Sequence, residues 1–458
     1  MALATIATIH IDGEELPDFT ELNIHEKLMS HHTFEVICRM DKLEGSDSFS
    51  MDKSQDFVGC QILISIAADS PKRNGEHNFR GIITEVTANR NFGIYGDSII
   101  LKGFSPDIIL NDSIHSQSFE EKDMGQIFDE VVKSYDKGLL KQNISFNSNE
   151  THPYIVQYDE TPFDFLIRSC LKIGEWWCYD GDKLYIGELP EEETDLTYGV
   201  DLHDFDFSIR LQPNNFKYTS YGNITAQSYE SSSSSHNIDG LQNRYGKTAL
   251  SKSEDIFPNE KIHLYNQVLK DGNEQQNLDN QIQIEKDGRA SRIVDAQGMS
   301  ESLELTLGCK AKIKGFSPDF SEEVDYGKYL ITSIHHSCDR EGNYENRFEG
   351  IPSTVKRPPI TSPLAIPRCE EQSAVVVDID DPEKMGRVRV QFYWQLDDDK
   401  SPWLRIITPS GGADKGLYLV PELDEEVLVG FEDQNAEKPY IKGSFYNGKN
   451  KPDGEWVT

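Results

Sequence analysis

The sequence predicts a mainly β chain with α/β insertions. Three observations lead there. Short runs rich in Ile, Val and Phe alternate with Gly, Asp and Asn turns over residues 1–110 and again from about 201 onward. One β pattern occurs twice: Gly59-Cys60-Gln61-Ile62-Leu63-Ile64 parallels Gly308-Cys309-Lys310-Ala311-Lys312-Ile313, and Ile82-Ile83-Thr84-Glu85-Val86 parallels Leu330-Ile331-Thr332-Ser333-Ile334. A polar turn (near Gly93, near Gly342) and a further strand follow each copy, so the order of elements argues for duplication of one β-domain. Third, the last 90 residues hold five or six short strands, which suits a small Greek-key barrel of the OB type.

The elements follow in order. Residues 1–110 form the first β-domain, with strands at 34–38, 61–66, 81–88 and 98–102. Residues 111–200 form an α/β insertion. There, Met124, Ile127, Phe128, Val131, Val132 and Tyr135 share one helical face. A second helix has Thr161 as cap, Pro162 at its first position and Gly174 as its end. Asp180-Gly181-Asp182 then turns a hairpin between 176–179 and 183–186. Residues 201–238 and 299–352 are assigned to the second copy. The polar 239–298 stretch is read as a loop and helical insertion whose helix ends near Gly298. Ser231–Ser235 is expected to be a flexible loop. Five prolines between 352 and 367 mark a stiff linker at 353–368. Residues 369–458 make the last domain.

Composition narrows the function. The 458 residues imply about three domains, and 37% hydrophobic residues can fill several cores. A formal net charge of −34 argues against a nucleic-acid or anionic-membrane partner, because phosphate binding needs clustered Lys and Arg. No apolar run is long enough to span a membrane, so no membrane anchor is expected. Seven widely spaced cysteines without a CxxC fit reduced thiols in a cytosol. Export would then bypass a cleaved signal.

Motifs for chemistry mostly fail. Gly246-Lys247-Thr248 lacks the phosphate-loop glycine, since Leu stands at 241. His335-His336 with Cys338 lacks a second ligand cluster at finger spacing, and adjacent strand residues face opposite ways. A surface histidine pair is expected there, and likewise at His31-His32. Asp378, Asp380 and Asp381 start a calcium loop whose sixth and twelfth positions are Glu383 and Arg389, so the match fails. Asp397–Asp399 reads as a solvated turn. One of Trp176 and Trp177 is expected in a core. No catalytic residue, no cofactor and no metal ligand is expected.

The specific signal lies near the C-terminus. Asp381-Pro382 opens a turn, Gly386 releases the backbone, and Arg387 begins an alternating strand in Asp381-Pro382-Glu383-Lys384-Met385-Gly386-Arg387-Val388-Arg389-Val390. Pro402-Trp403-Leu404-Arg405, Pro421-Glu422, Val427-Leu428-Val429-Gly430-Phe431 and Gly443-Ser444-Phe445-Tyr446-Asn447 follow. In this order they resemble the OB domain of the VgrG family, the spike protein of type VI secretion, and the related baseplate hub and spike of contractile-tailed phages. Upstream, residues 156–166 with Gly174, and the run Gly298, Leu305, Gly308, resemble that family's hub. The family pattern usually has a Gly before Asp-Glu-Val, where this chain has Leu423-Asp424-Glu425-Glu426.

The resemblance implies two related antiparallel β-barrels per chain, in a ring of six barrels from three chains, followed by the OB-fold. It implies a non-enzymatic homotrimer that adapts an Hcp-like inner-tube hexamer and baseplate proteins to a threefold spike and helps deliver effectors. The structural motif residues are then Asp381, Pro382, Gly386, Arg387, Trp403, Pro421, Glu422 and Gly443. No β-helix is expected in these 458 residues, so a tip-capping protein and effectors would belong to a longer form. Cytoplasmic assembly followed by ejection is expected, with intersubunit surfaces depleted in acidic charge. Alternatives are the hub of a phage tail, tailocin or extracellular injection system, a carbohydrate-active β-barrel enzyme, and a monomeric adhesion module.

Overall fold

The computed structural model describes residues 5–45, 50–69, 75–90, 96–238, 240–241, 244–317, 322–396, 398–413 and 415–452. The turn near Gly93 and Asp397 lie outside the described residues.

A 13-stranded sheet organises the first 352 residues. Its first six-strand set runs in space Glu21–Lys27, Thr33–Arg39, Ser98–Phe104, Glu76–Asn89, Gln61–Ala68, Thr5–Ile11. The second runs Leu202–Ile209, Val294–Ser300, Tyr344–Pro352, Glu323–Asp339, Lys310–Phe316, Glu193–Thr197, which is the same spatial order. Both curl closed. In the first, the Thr5 N–H and hydroxyl donate to the Gly342 carbonyl at 2.9 and 3.1 Å. In the second, Tyr198 bridges Leu202.

The duplication extends to hydrogen-bond detail. Gly59 N–H donates to Ile83 O, and Gly308 N–H to Ile331 O. Ile83 N–H returns to Cys60 O, and Ile331 N–H to Cys309 O. Both glycines have positive φ, +89° and +78°. A β-bulge interrupts the register at Ile83/Glu85 in one copy and Ile331/Ser333 in the other, so Thr84 and Thr332 are equivalent. The cores differ in membership but are both dominated by Ile and Leu from alternating strand positions.

The two barrels share a wall. The 17-residue strand Glu323–Asp339 pairs by its first half with Lys310–Phe316 and by its second with Glu21–Lys27. Cys338 and Tyr344 therefore pack in the first core, whereas Ile331 and Ile334 pack in the second.

The insertion after the first barrel holds two helices with complete caps. Asp123 and Gln126 make a capping box for Met124–Val131, which ends four residues before the expected Tyr135. Thr161 caps Pro162–Ile173, and Gly174 ends it at φ +70°. Trp176 and Trp177 are both buried, not one alone.

Three expectations are corrected. Residues 216–232 leave the barrel: Phe216–Gly222 and Gln227–Ser232 join Lys261–Leu264 in a separate three-stranded sheet, packed on the helix Glu274–Ala290 through Phe216, Tyr218, Leu278 and Ile282. That helix ends at Ala290 rather than near Gly298, because Ile293, Val294 and Ala296 are apolar enough to enter the barrel core as a strand. The serine run is not a loose loop. Ser233 is buried, its hydroxyl accepting from Phe216 N–H at 2.9 Å and donating to Asn214 O at 3.0 Å, so its polarity is satisfied inside.

Candidate functional site

The C-terminal domain has its own small core of Ala374, Val376, Val388, Val390, Phe392, Leu404, Val427, Val429 and Ile441. Its four-stranded sheet runs Arg389–Phe392, Gln372–Asp378, Glu426–Phe431, Pro439–Phe445. The turn between the first two chain segments is built on one carboxylate. Asp381 accepts from the N–H groups of Glu383 at 3.1 Å, Met385 at 2.8 Å and Arg387 at 3.1 Å, and from the Arg387 guanidinium at 2.7 Å. Burial alone would raise its pKa. The guanidinium and the three backbone donors outweigh that and hold it well below the usual carboxylate range. Lys384 and Gly386 take φ +54° and +73°, and a Cβ at 386 would sit 2.9 Å from the Tyr418 ring.

The sequence-predicted residues do not converge on one point. Asp381, Pro382, Gly386 and Arg387 share this turn. Trp403 comes beside it, because Val388 bridges Leu404 and the Arg389 guanidinium lies over the Trp403 ring at 5.6 Å. Pro421 is buried and Glu422 exposed at a separate turn, where Asp424 takes φ +67°. Asp is among the few residues that tolerate this conformation. Gly443 sits on Pro439–Phe445 next to a register shift, with open space around it.

The domain is docked, not tethered. Tyr154, Val156, Cys369 and Ala436 make an apolar seam between the insertion and the OB domain, with Tyr158, Trp394 and Phe431 against it. Buried Glu437 meets Lys172 at 2.8 Å and Arg168 at 3.7 Å. Burial pushes Glu437 up, but these two cations hold it below its ordinary value. Gln395 Nε2 donates to Ser118 Oγ at 2.7 Å, and Gln372 Nε2 to Tyr158 OH at 2.7 Å. Asn266 Nδ2 donates to Glu432 O, and Asn435 Nδ2 to Asn266 O. Arg389 pairs with Glu120. The proline-rich segment is also fixed, with Ser362 N–H on Leu171 O at 2.9 Å. A cleft of about 850 Å³ opens beside this joint, lined by Arg387, Trp403, Tyr221 and Asp271 among others. Sequence reasoning missed Glu437, Lys172, Arg168 and Asn266, because each is an ordinary polar residue whose partner lies far along the chain.

The histidine pairs also differ from expectation. His336 and His32 are fully buried, not on the surface. His31 stacks on Phe163 and pairs with buried Asp107 at 3.2 Å. His336 joins Glu26 and His77 inside the first barrel.

A duplicated, wall-sharing barrel pair with a docked OB domain defines the hub class of contractile-tail β proteins. The model of the phage tail baseplate hub (GPD) matches residues 25–342, and that of the type VI secretion system/phage-baseplate injector OB domain matches residues 372–446. The chain belongs to the phage tail baseplate hub family, whose members include VgrG-like type VI spikes and are structural proteins. The type VI spike protein VgrG5 of Pseudomonas aeruginosa is 37% identical over 124 residues, covering 24% of this chain and 15% of that protein. VgrG4b of the same organism is 37% identical over 119 residues, 24% of this chain and 14% of that one. The matched segment thus spans about a seventh of these relatives. Among solved structures, the Escherichia coli c3393 protein, described as a type VI secretion component similar to bacteriophage tail proteins gp27 and gp5, has TM-score 0.62 at 15% identity, covering 95% of this chain and 99% of that one. A chain of the Francisella PdpA–VgrG complex (lidded) has TM-score 0.60 at 11% identity, covering 98% of this chain and 72% of that one.

Proposed function

We propose that the chain is the hub and spike-base of a contractile injection apparatus of the type VI kind, acting as a homotrimer. The observation that carries this reading is the fusion of two equivalent barrels in one chain by a shared strand. Three such chains would present six near-equivalent barrels to a sixfold Hcp-like tube and three OB domains to a threefold spike. Exposed apolar groups support self-association. Tyr198, Val200, Phe207, Ile209 and Leu211 are exposed along one edge of the second barrel, and Tyr418 and Tyr446 are exposed at 78% and 71% on the OB domain. Baseplate proteins would contact the ring. A tip-capping protein and effectors would engage a form with a β-helix. Assembly would take place in the cytoplasm, before ejection toward the target cell.

Light scattering on the purified chain tests the trimer: a mass near three times 52.1 kDa is expected, and six-lobed rings in negative stain. A monomer without such rings overturns the reading. The hub match at residues 25–342 also favours a second reading, a phage-tail or tailocin hub. Co-purification with a tail tube rather than an Hcp-like hexamer would select it.

A further inference from the structure

Inside the first barrel, three polar side chains meet out of reach of solvent. Glu26 comes from the strand Glu21–Lys27, His77 from Glu76–Asn89 and His336 from Glu323–Asp339. Their exposures are 1%, 2% and 0%. One ligand atom from each lies within 4.8 Å of the other two. Among the described residues, Glu26 Oε1, His77 Nε2 and His336 Nε2 have no hydrogen-bond partner. The contacts are instead long, 3.4 Å from His77 Nε2 to Glu26 Oε1 and 3.6 Å from His336 Nε2 to Glu26 Oε2. A carboxylate buried without good hydrogen bonds is expensive.

We propose that this cluster is a structural site for a divalent transition-metal ion of the zinc class. Ligands about 2.1 Å from a tetrahedral zinc lie about 3.4 Å apart; His77 Nε2 lies 3.4 Å from one Glu26 oxygen and His336 Nε2 3.6 Å from the other, so each imidazole stands near that spacing from the carboxylate. Two imidazoles and one carboxylate suit zinc and its neighbours better than calcium or magnesium. The surroundings orient one ligand. His336 Nδ1 lies 2.7 Å from Tyr344 OH, which also accepts from Asn346 Nδ2 at 3.1 Å. An Nδ1–H donated to that oxygen leaves the Nε2 lone pair facing the cluster. The His77 and His336 rings stack at 3.9 Å, 18° from parallel, so one ring must turn out of the stack for both in-plane Nε2 lone pairs to meet one ion. Burial of all three groups makes the site structural, bracing opposite walls of the barrel and tying its second-copy strand to the first copy.

Elemental analysis of the full chain, purified without a polyhistidine tag and equilibrated with zinc ion, tests this. About one zinc per chain is expected, removable by chelator with a fall in Tm and restored by zinc alone. Glu26→Gln and His77→Gln should lose the metal. The double variant His25→Gln, His335→Gln should keep it, although those rings stack at 3.8 Å on the other face of the same two strands. Should a variant fail to fold, the cobalt(II)-loaded wild type decides: an intense tetrahedral visible spectrum supports the site, and a weak aqueous one overturns it. Metal-free wild type after equilibration, or metal lost only with the His25/His335 pair, also overturns it.

Discussion

The two joints in this molecule are made by different physics. Barrel meets barrel through a continuous backbone ladder: Ser333 to Asp339 pair residue by residue with Lys27 to Glu21, in a strand whose other half walls the second barrel. The OB domain meets the hub through side chains: one small apolar seam, a buried carboxylate between two cations, and a few amide bonds. A ladder is cooperative and cannot slip by one residue without turning every core side chain outward. A side-chain joint can be released piece by piece and responds to pH. The barrels should therefore unfold as one unit, and the OB domain should be separable from them.

The largest expected effect comes from cutting the ladder joint. Ile334, buried on the shared strand, replaced by Ala should destabilise the hub by about 4 kcal/mol, seen in chemical denaturation as a loss shared by both barrels. Loss confined to one barrel would break the comparison. Next, Glu437→Gln should weaken OB docking by about 3 kcal/mol, read by proteolysis at residues 353–368, while the hub transition stays in place. The sign with pH follows from its depressed pKa. Its contribution is complete above the ordinary value of 4.5 and is lost as pH falls through the lower value it has when docked. Wild type should show this acid release, and the Gln variant should lack this carboxylate's share of it. Asp381→Asn sharpens the contrast from within one domain. It should destabilise the OB fold by about 2 kcal/mol in calorimetry without loosening the ladder joint. Smallest, Asn266→Ala removes the side-chain bonds to Glu432 and Lys438 and should weaken docking by about 1 kcal/mol in the same proteolysis assay.

What was legible in the sequence was whatever is encoded locally. Thr161, Pro162 and Gly174 announced a helix because caps and breakers act within one turn. The duplication was legible because the bulge at Thr84 and Thr332 needs the same short string twice. The OB turn was legible because Asp381 serves donors no more than six residues away. The joints and the buried cluster were not. Strand alternation says that one of His335 and His336 points inward, but Glu26 and His77 lie hundreds of residues upstream of it, so no spacing rule could supply them. Phe216 and Tyr218 alternate like barrel residues, and only the helix Glu274–Ala290 that covers them shows that they belong to another sheet.

The shared strand also orders events during synthesis. Glu21–Lys27 is among the first strands made, and Thr33–Arg39 soon covers one of its edges, yet the partner of its other edge is residues 333–339, and Thr5 waits for Gly342. The N-terminal barrel therefore cannot close until more than 300 further residues have left the ribosome. Contacts this distant in sequence form slowly and leave unpaired edges in the meantime. The nascent chain must be kept from pairing with a neighbour's identical edge over that interval, and a chain interrupted before residue 333 would carry the first barrel open.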